Sequence, residues 1–264
     1  MTSMPVDADF NVWEGVYANF KDAPASGPGF DGRIWRERSA KFALQMIDRV
    51  SKGEPLEMSL RQRYEFLPVL AVNALERQPR TQILDFGGGL GIGYVVLESA
   101  LGQGSKRVDY SVVEFEDTCR AGLELFAGRP GPDFLRELPN VAHFDIVHAA
   151  SVLQYIEDWR EILCRLAAYR APHLALSDVY IGDFATYVTS QNHHTSRIRH
   201  WFWNKTEFVN EVSRHGYELC LHTHCELNVL GKHGSLPMQN FPQELRIAHG
   251  SNLLFRRRER GAAR

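Results

Sequence analysis

The sequence predicts an α/β fold built on an open, mostly parallel sheet, and three observations predict it. A short apolar run at 82–84 ends in an acid and a glycine-rich turn, and a second run, 107–113, ends in Glu114. From there, strand-like and helix-like stretches alternate along the remainder of the 264 residues. Such alternation lays helices on the faces of a parallel sheet, and ligands then bind beyond the carboxyl ends of its strands.

The turn comes first. Gln82-Ile83-Leu84 stops at Asp85, glycines follow at 87, 88, 89, 91 and 93, and an apolar helical pattern starts behind them. Glycines admit positive φ and let a ligand lie against bare backbone. The helix N-terminus adds N–H groups with no partner in the helix. Spacing separates the ligand classes that use such a turn. A phosphate-binding loop needs Gly-Lys-Ser/Thr at its end, but Tyr94 and Val95 follow Gly93. The dinucleotide fingerprint G-x-G-x-x-G fails from Gly87, where its last position is Ile92, and from Gly89, where it is Tyr94. What fits is acid-x-G-x-G-x-G over Asp85, Gly87, Gly89 and Gly91. That stretch resembles the first motif of the class I S-adenosylmethionine (SAM) methyltransferases. The resemblance implies SAM as cofactor, methyl transfer as the activity, and a seven-stranded, doubly wound, Rossmann-like sheet.

The second strand, Arg107 to Val113, ends in Glu114, and an acid about 20 residues past a glycine turn suits a ribose diol. Phe115 follows and could cover one face of an adenine ring. Glu116 and Asp117 suit the first turn of a helix through Leu125, where negative charge meets the helix dipole. A loop at 128–132 leads to a short third strand around Asp133-Phe134-Leu135; Asp133, Arg136 and Glu137 compete for reading the adenine amino group. The fourth strand, Phe144 to Ala150, runs into Ser151-Val152-Leu153-Gln154-Tyr155-Ile156 and a helix from Asp158 to Tyr169. This block resembles the fourth methyltransferase motif. It implies that Ala149 and Ser151 floor the methionine half of SAM, with Tyr155 at the pocket edge. His148 alternates onto one face of a buried strand and reads as a satisfied core histidine. No (Asn/Asp/Ser)-Pro-Pro-(Tyr/Phe) sequence is present, which counts against a nucleobase amine as acceptor.

A fifth strand is expected over His173–Val179, a sixth near Tyr217–His222 and a seventh over Asn252–Arg256, with 231–249 as a loop or small lobe. Asn204 suits the cap of a helix over Glu207–His215. Between strands five and six, Tyr187 to His194 turns polar and aromatic at the ligand edge, where an acceptor must lie. A sulfonium already activates its methyl, so the chain has only to align an acceptor lone pair and exclude water. A hydroxyl acceptor also needs a base, and histidine titrates nearest neutrality. His193 and His194 are therefore the expected base, with Gln191 orienting the acceptor.

Residues 1–80 are expected to form a helical extension or lid, ahead of a SAM-binding domain over 81–264. The extension opens on the aromatic stretch Phe10–Phe20, passes a flexible turn at 23–29, and shows helical spacing over Trp35–Val50 and Leu60–Leu75. Arg33, Arg36 and Arg38 read either as contacts to an acidic acceptor or as a solvated helix face. A hydrophobic fraction of 44% suffices for a core, and a formal charge of −2 argues against a general nucleic-acid binder. Four cysteines (Cys119, Cys164, Cys220, Cys225) form no C-x-x-C pair, which suits reduced thiols in a cytoplasmic protein. No run approaches transmembrane length, and no signal-peptide layout opens the chain. No metal is expected: His222 and His224 share a strand face, Cys225 points away, and no fourth ligand stands at zinc spacing.

The resemblance extends past the superfamily. W-x-G-x-Y at 13–17, D-F-G-G-G at 85–89, V-L-Q-Y-I at 152–156, T-S-Q-N at 189–192 and N-L-L-F-R-R at 252–257 occur in this order in one family of bacterial methyltransferases. Its members are often encoded among surface-polysaccharide or small-molecule biosynthesis genes. The expected activity is methyl transfer to a small polar acceptor, a hydroxyl of a sugar, glycan or metabolite. N- or C-methylation of a small molecule, and a non-catalytic SAM-fold scaffold, are the alternatives. The aromatic opening and the 231–249 lobe could equally serve a homodimer contact.

Overall fold

The computed structural model describes residues 10–140, 143–229 and 232–258, and the side chains of all of these except 227–229 and 232–233. In chain order its strands and helices are β1 (Trp13–Tyr17), α1 (Arg33–Ser51), α2 (Met58–Arg63), α3 (Phe66–Leu75), β2 (Thr81–Phe86), α4 (Ile92–Leu101), β3 (Val108–Val113), α5 (Glu116–Leu125), β4 (Asp133–Leu135), β5 (Ile146–Ala150), α6 (Trp159–Ala168), β6 (His173–Val179), β7 (Ile181–Gly182), β8 (Tyr187–His193), β9 (Ser196–Asn204), α7 (Lys205–Arg214), β10 (Tyr217–Cys225), β11 (Leu227–Val229), β12 (Lys232–Gly234) and β13 (Gly250–Arg257).

Seven of these strands make the main sheet, in the order β10-β13-β6-β5-β2-β3-β4. The five from β6 to β4 run parallel, while β13 is antiparallel to both β6 and β10. The α/β sheet expected from the sequence is thus present, with β2 at the centre of its five parallel strands and the order reversing between β2 and β5. That reversal opens a crevice at the carboxyl ends of the two strands, where ligands bind in such sheets.

Each face is covered by a separate apolar cluster. Leu84, Val147, Ala149, Leu174 and Phe255 pack with Leu163 and Leu166 of α6 and Phe208 of α7. On the other face Ile83, Val112 and Ile146 meet Leu67 and Leu70 of α3 and Val95 and Leu97 of α4. Adjacent residues of one strand fall into opposite clusters, as a pleat requires. Asn204 caps α7 as expected, its Oδ1 accepting the Glu207 N–H at 3.0 Å.

The extension differs from a purely helical one. It holds α1–α3, but the aromatic opening is strand β1, which pairs antiparallel with β8. β8 and β9 form an antiparallel hairpin, β7 joins β9, and the result is a second sheet in the order β1-β8-β9-β7. Leu236, Met238 and Phe241 of the 231–249 stretch (Gly231 lies outside the described residues) pack on this small sheet with Trp13, Tyr187 and Phe202. The single helix expected over Leu60–Leu75 is broken between α2 and α3. Tyr64 leaves helical geometry at φ −109°, and Glu65 accepts a hydrogen bond from Asn252 Nδ2 at 3.0 Å. Among the described residues no helix is long and apolar enough to cross a membrane.

Candidate active site

Asp85 is the last residue but one of β2, and its side chain points under the glycine turn rather than out of it. It is fully buried; Oδ2 accepts from the Tyr110 hydroxyl at 2.7 Å, and Oδ1 lies 2.8 Å from His148 Nδ1. His148 Nε2 in turn meets Ser177 Oγ at 3.2 Å, so this histidine is a satisfied core residue. The network runs across β3, β2, β5 and β6 and fixes the strand ends from which the turn departs. Asp85 therefore supports the turn from behind and does not itself line the cleft.

Above it the backbone is bare. Gly87 has φ +68° and Gly89 φ +57°, a region where a side chain is strained. A Cβ on Gly87 would collide with Val152, whereas one on Gly89 would meet nothing within 4 Å, because that residue faces open space. Gly91 instead caps α4 and packs toward Pro132 and Phe126, so it shapes the turn without forming its wall.

Glu114 faces this backbone. Its Oε1 accepts the Gly89 N–H at 3.1 Å and its Oε2 accepts the Phe115 N–H at 3.0 Å. Burial raises its carboxyl above the usual range, against the opposing pull of those two N–H groups. Each oxygen keeps a lone pair for a ligand, which is the geometry a diol requires. Phe115 is 59% exposed beside it, and Arg136, one of three residues considered for adenine reading, lies on the same wall.

Two adjoining cavities meet at Phe30, Trp35, Gly87, Gly89 and Ser151. The inner one, about 300 Å³, is walled by Glu114, Phe115, Val152, Tyr155 and Ile156. The outer one, about 490 Å³, reaches Arg38, Arg63, Tyr64, Ala150, His193 and His194. Both are of the size small-molecule sites take, about 300–1,000 Å³. A larger groove of about 720 Å³ lies along α2 and α4, but helices and loops alone form it and no strand end reaches it. We place the site at the strand ends.

Ser151 lines both cavities at φ +54°, a left-handed conformation rare for serine, and Asp178 at the end of β6 shares it. Strain of about 1–3 kcal/mol persists only where the surroundings enforce it, and it gathers at functional sites. Ala149 is not on the wall: the pleat of β5 turns it into the core, and Ala150 and Ser151 take the position expected of it.

At the tip of the β8–β9 hairpin, His193 and His194 both line the outer cavity. Their rings lie 4.4 Å apart, and His193 sits 5.0 Å from the Phe30 ring. Burial, then the neighbouring His194 and Arg38, push His193 down to about 4. His194 is also lowered, by burial and by Arg38. Tyr155 is raised by burial and faces Gln191 and Ser151, and its ring meets Phe30 edge-on at 4.7 Å. Gln191 stands behind Tyr155 on β8, its Oε1 buried and without a hydrogen-bond partner among the described residues.

Three residues of the site escaped the sequence reading. Phe30 sits in a one-turn helix between two glycines, and only its neighbouring turn signal marks it. Arg63 and Asp178 form an ion pair at 3.5 Å between elements far apart in the chain, which leaves no local pattern. Burial opposes the charge on Arg63, and Asp178 together with Tyr64, Tyr180 and Cys225 offsets it, holding the guanidinium charged beside the outer cavity.

No family model and no curated protein matches this chain by sequence. Solved structures do match by fold. The Burkholderia thailandensis 1,6-didemethyltoxoflavin-N1-methyltransferase, determined with its substrate and S-adenosylhomocysteine, aligns over 90% of this chain and 93% of its own at TM-score 0.50 and 16% identity. The sugar N-methyltransferase KedS8 from Streptoalloteichus sp ATCC 53650 covers 76% and 88% at TM-score 0.47 and 14% identity. Magnesium protoporphyrin IX methyltransferase from Synechocystis PCC 6803 covers 85% and 99% at 0.46 and 13%. This chain has the Rossmann-like fold found in SAM-dependent methyltransferases.

Proposed function

We propose that the chain is a SAM-dependent methyltransferase acting on a small polar acceptor, with a hydroxyl of a sugar, glycan or metabolite as the atom methylated. The observation that carries this reading is Glu114, turned onto the backbone of Gly89 at the edge of an open cavity. The fit is specific. Gly89 has room where a side chain would otherwise stand, and Glu114 offers a bidentate carboxylate to a ribose. Phe115 and Ile156 give apolar walls for adenine, and Arg63 suits the methionine carboxylate. Bound SAM would supply a methyl group on a sulfonium, ready for nucleophilic attack.

The chain's own residues would then orient the acceptor and remove its proton. His194 Nδ1 lies 3.0 Å from Arg38 Nη1, and a guanidinium can only donate, so His194 accepts there and keeps its proton on Nε2. That leaves His193 to take a proton, and its lowered pKa keeps it neutral at pH 7. Tyr155, backed by Gln191 of β8, would bound the inner cavity near the point where the acceptor meets the methyl group. Trp35 and Phe30 would exclude water from the junction of the two cavities. The bacterial family whose segments this chain resembles is consistent with such acceptors.

A second reading is methylation of nitrogen on a planar small molecule. Phe30, Trp35 and Phe42 on the outer wall suit a flat ring, and the Burkholderia enzyme is an N1-methyltransferase of 1,6-didemethyltoxoflavin. A screen with methyl-labelled SAM over glycans, sugar nucleotides, amines and aromatic metabolites separates the two. Label in an O-methyl product supports the first, label on nitrogen the second. No product with any acceptor, in a protein that binds SAM, leaves a scaffold.

A further inference from the structure

The arginines at the start of α1 do not share one fate. Arg33 Nη1 pairs with Glu37 at 3.2 Å, and Arg36 pairs with Asp117 at 3.4 Å. Arg38 pairs with no carboxylate among the described residues, and its recorded partner is the neutral Nδ1 of His194. That bond holds one edge of the exposed guanidinium at the outer cavity while leaving most of its five N–H donors unused among the described residues. His194 Nε2–H adds a further donor on the same rim. Glu57, also on this cavity's wall, forms no ion pair with Arg38. Trp35 and Phe42 lie on the same wall, one turn or so along α1 on either side of Arg38.

A guanidinium anchored at one edge, with spare donors and aromatic rings on the same cavity wall, suits a planar anion. We propose that the acceptor carries an anionic group, of which a carboxylate fits best, that docks on Arg38 while its ring lies against Trp35 and Phe42 and its nucleophile points to the glycine turn. This rests on the methyltransferase reading and narrows its substrate class to acidic, ring-bearing molecules. Burial, the larger cause, and the Arg38 charge together keep His193 a weak base, and a docked anion would offset the second of these.

The test uses the full chain saturated with S-adenosylhomocysteine, so that the cofactor's own carboxylate is already in place. Binding of 4-fluorobenzoate, 4-fluorophenyl phosphate and the neutral isostere 4-fluorobenzamide is followed by fluorine NMR line broadening. The benzoate is expected to bind about tenfold or more tighter than the benzamide, as a charge-assisted pair implies, and the gap should narrow at high salt. Arg38→Gln should bring the two to within about twofold while leaving homocysteine-cofactor affinity unchanged, and Arg33→Gln, whose arginine is already paired, should preserve the gap. Preference for the phosphate would support the anion site with phosphate as its group. Equal binding of benzoate and benzamide, no binding of either, or a gap that survives Arg38→Gln would overturn the inference. Failure of the wild type to bind S-adenosylhomocysteine at all would instead overturn the methyltransferase reading beneath it.

Discussion

Replacing Glu114 by glutamine isolates the interaction on which cofactor binding rests. In the wild type both oxygens already accept backbone N–H groups, from Gly89 at 3.1 Å and Phe115 at 3.0 Å. An amide keeps the shape but turns one acceptor into a donor, so one of those N–H groups must face another donor or lose its partner. The ribose loses a charge-assisted hydrogen bond, worth about 1.5–3 kcal/mol, and displacement of the turn adds about 1 kcal/mol. Together these give about 2.5–4 kcal/mol, or a rise in Kd of about 60- to 700-fold. Calorimetric titration of both proteins with SAM reads this directly, and thermal melting controls for folding. Burial raises the Glu114 carboxyl, so wild-type affinity should fall on acidification sooner than for an ordinary glutamate, and the glutamine variant should lack that dependence. A Kd within threefold of wild type at neutral pH would refute the reasoning.

Other outcomes follow from neighbouring residues. Gly89→Ala should cost about 1–2 kcal/mol of stability through its positive φ and weaken SAM more than tenfold, because the new methyl enters the cleft. Gly128→Ala, also at positive φ with open space around it but outside the cleft, should leave affinity unchanged. His193→Gln should lower turnover by about 100-fold or more at unchanged SAM affinity, and His194→Gln by less; equal turnover in wild type and His193→Gln would remove this residue from proton transfer. His200 is fully buried among the rings of Trp13, Tyr155, Tyr180 and Phe202, and burial pushes it down to about 3. Below its ordinary 6.5 the unfolded chain takes a proton that the folded chain refuses. Stability should therefore hold above about pH 7 and decline toward pH 4, as urea unfolding would record. His200→Phe should make that decline shallower, and an identical slope would contradict the assignment.

How much was legible in the sequence depends on the range of the interactions involved. β2, β3 and β6 announce themselves because each is a buried run ended by a polar residue at the ligand edge, and burial on both faces needs no distant partner to be recognised. Glu114 was legible for the same reason: its place is set by its own strand and by the turn one crossover earlier. The small sheet was not. Its strands are mixed polar and aromatic, and its β8–β9 turn at His193–Ser196 lacks the glycine or Asn-Gly that usually marks a hairpin. β1 is short, irregular between Glu14 and Tyr17, and stable only by pairing with a strand near residue 190. Ala149 is off by one residue because the motif resemblance marks the strand end without saying which way the pleat turns each side chain there. Asp85 was read as a cleft residue since its position fits; only the hydroxyl of Tyr110 and the ring of His148, brought in from neighbouring strands, show that it turns beneath the backbone.

The central claim is that bare backbone at residues 87–89 and the carboxylate of Glu114 form one adenosyl-binding surface. Co-crystallisation with S-adenosylhomocysteine tests it most directly. The account predicts both ribose hydroxyls within hydrogen-bond distance of Glu114, the adenine against Phe115, and the homocysteine end running past Gly87 toward Arg63. A nucleoside bound elsewhere, or Glu114 left out of contact with the ribose, would contradict it.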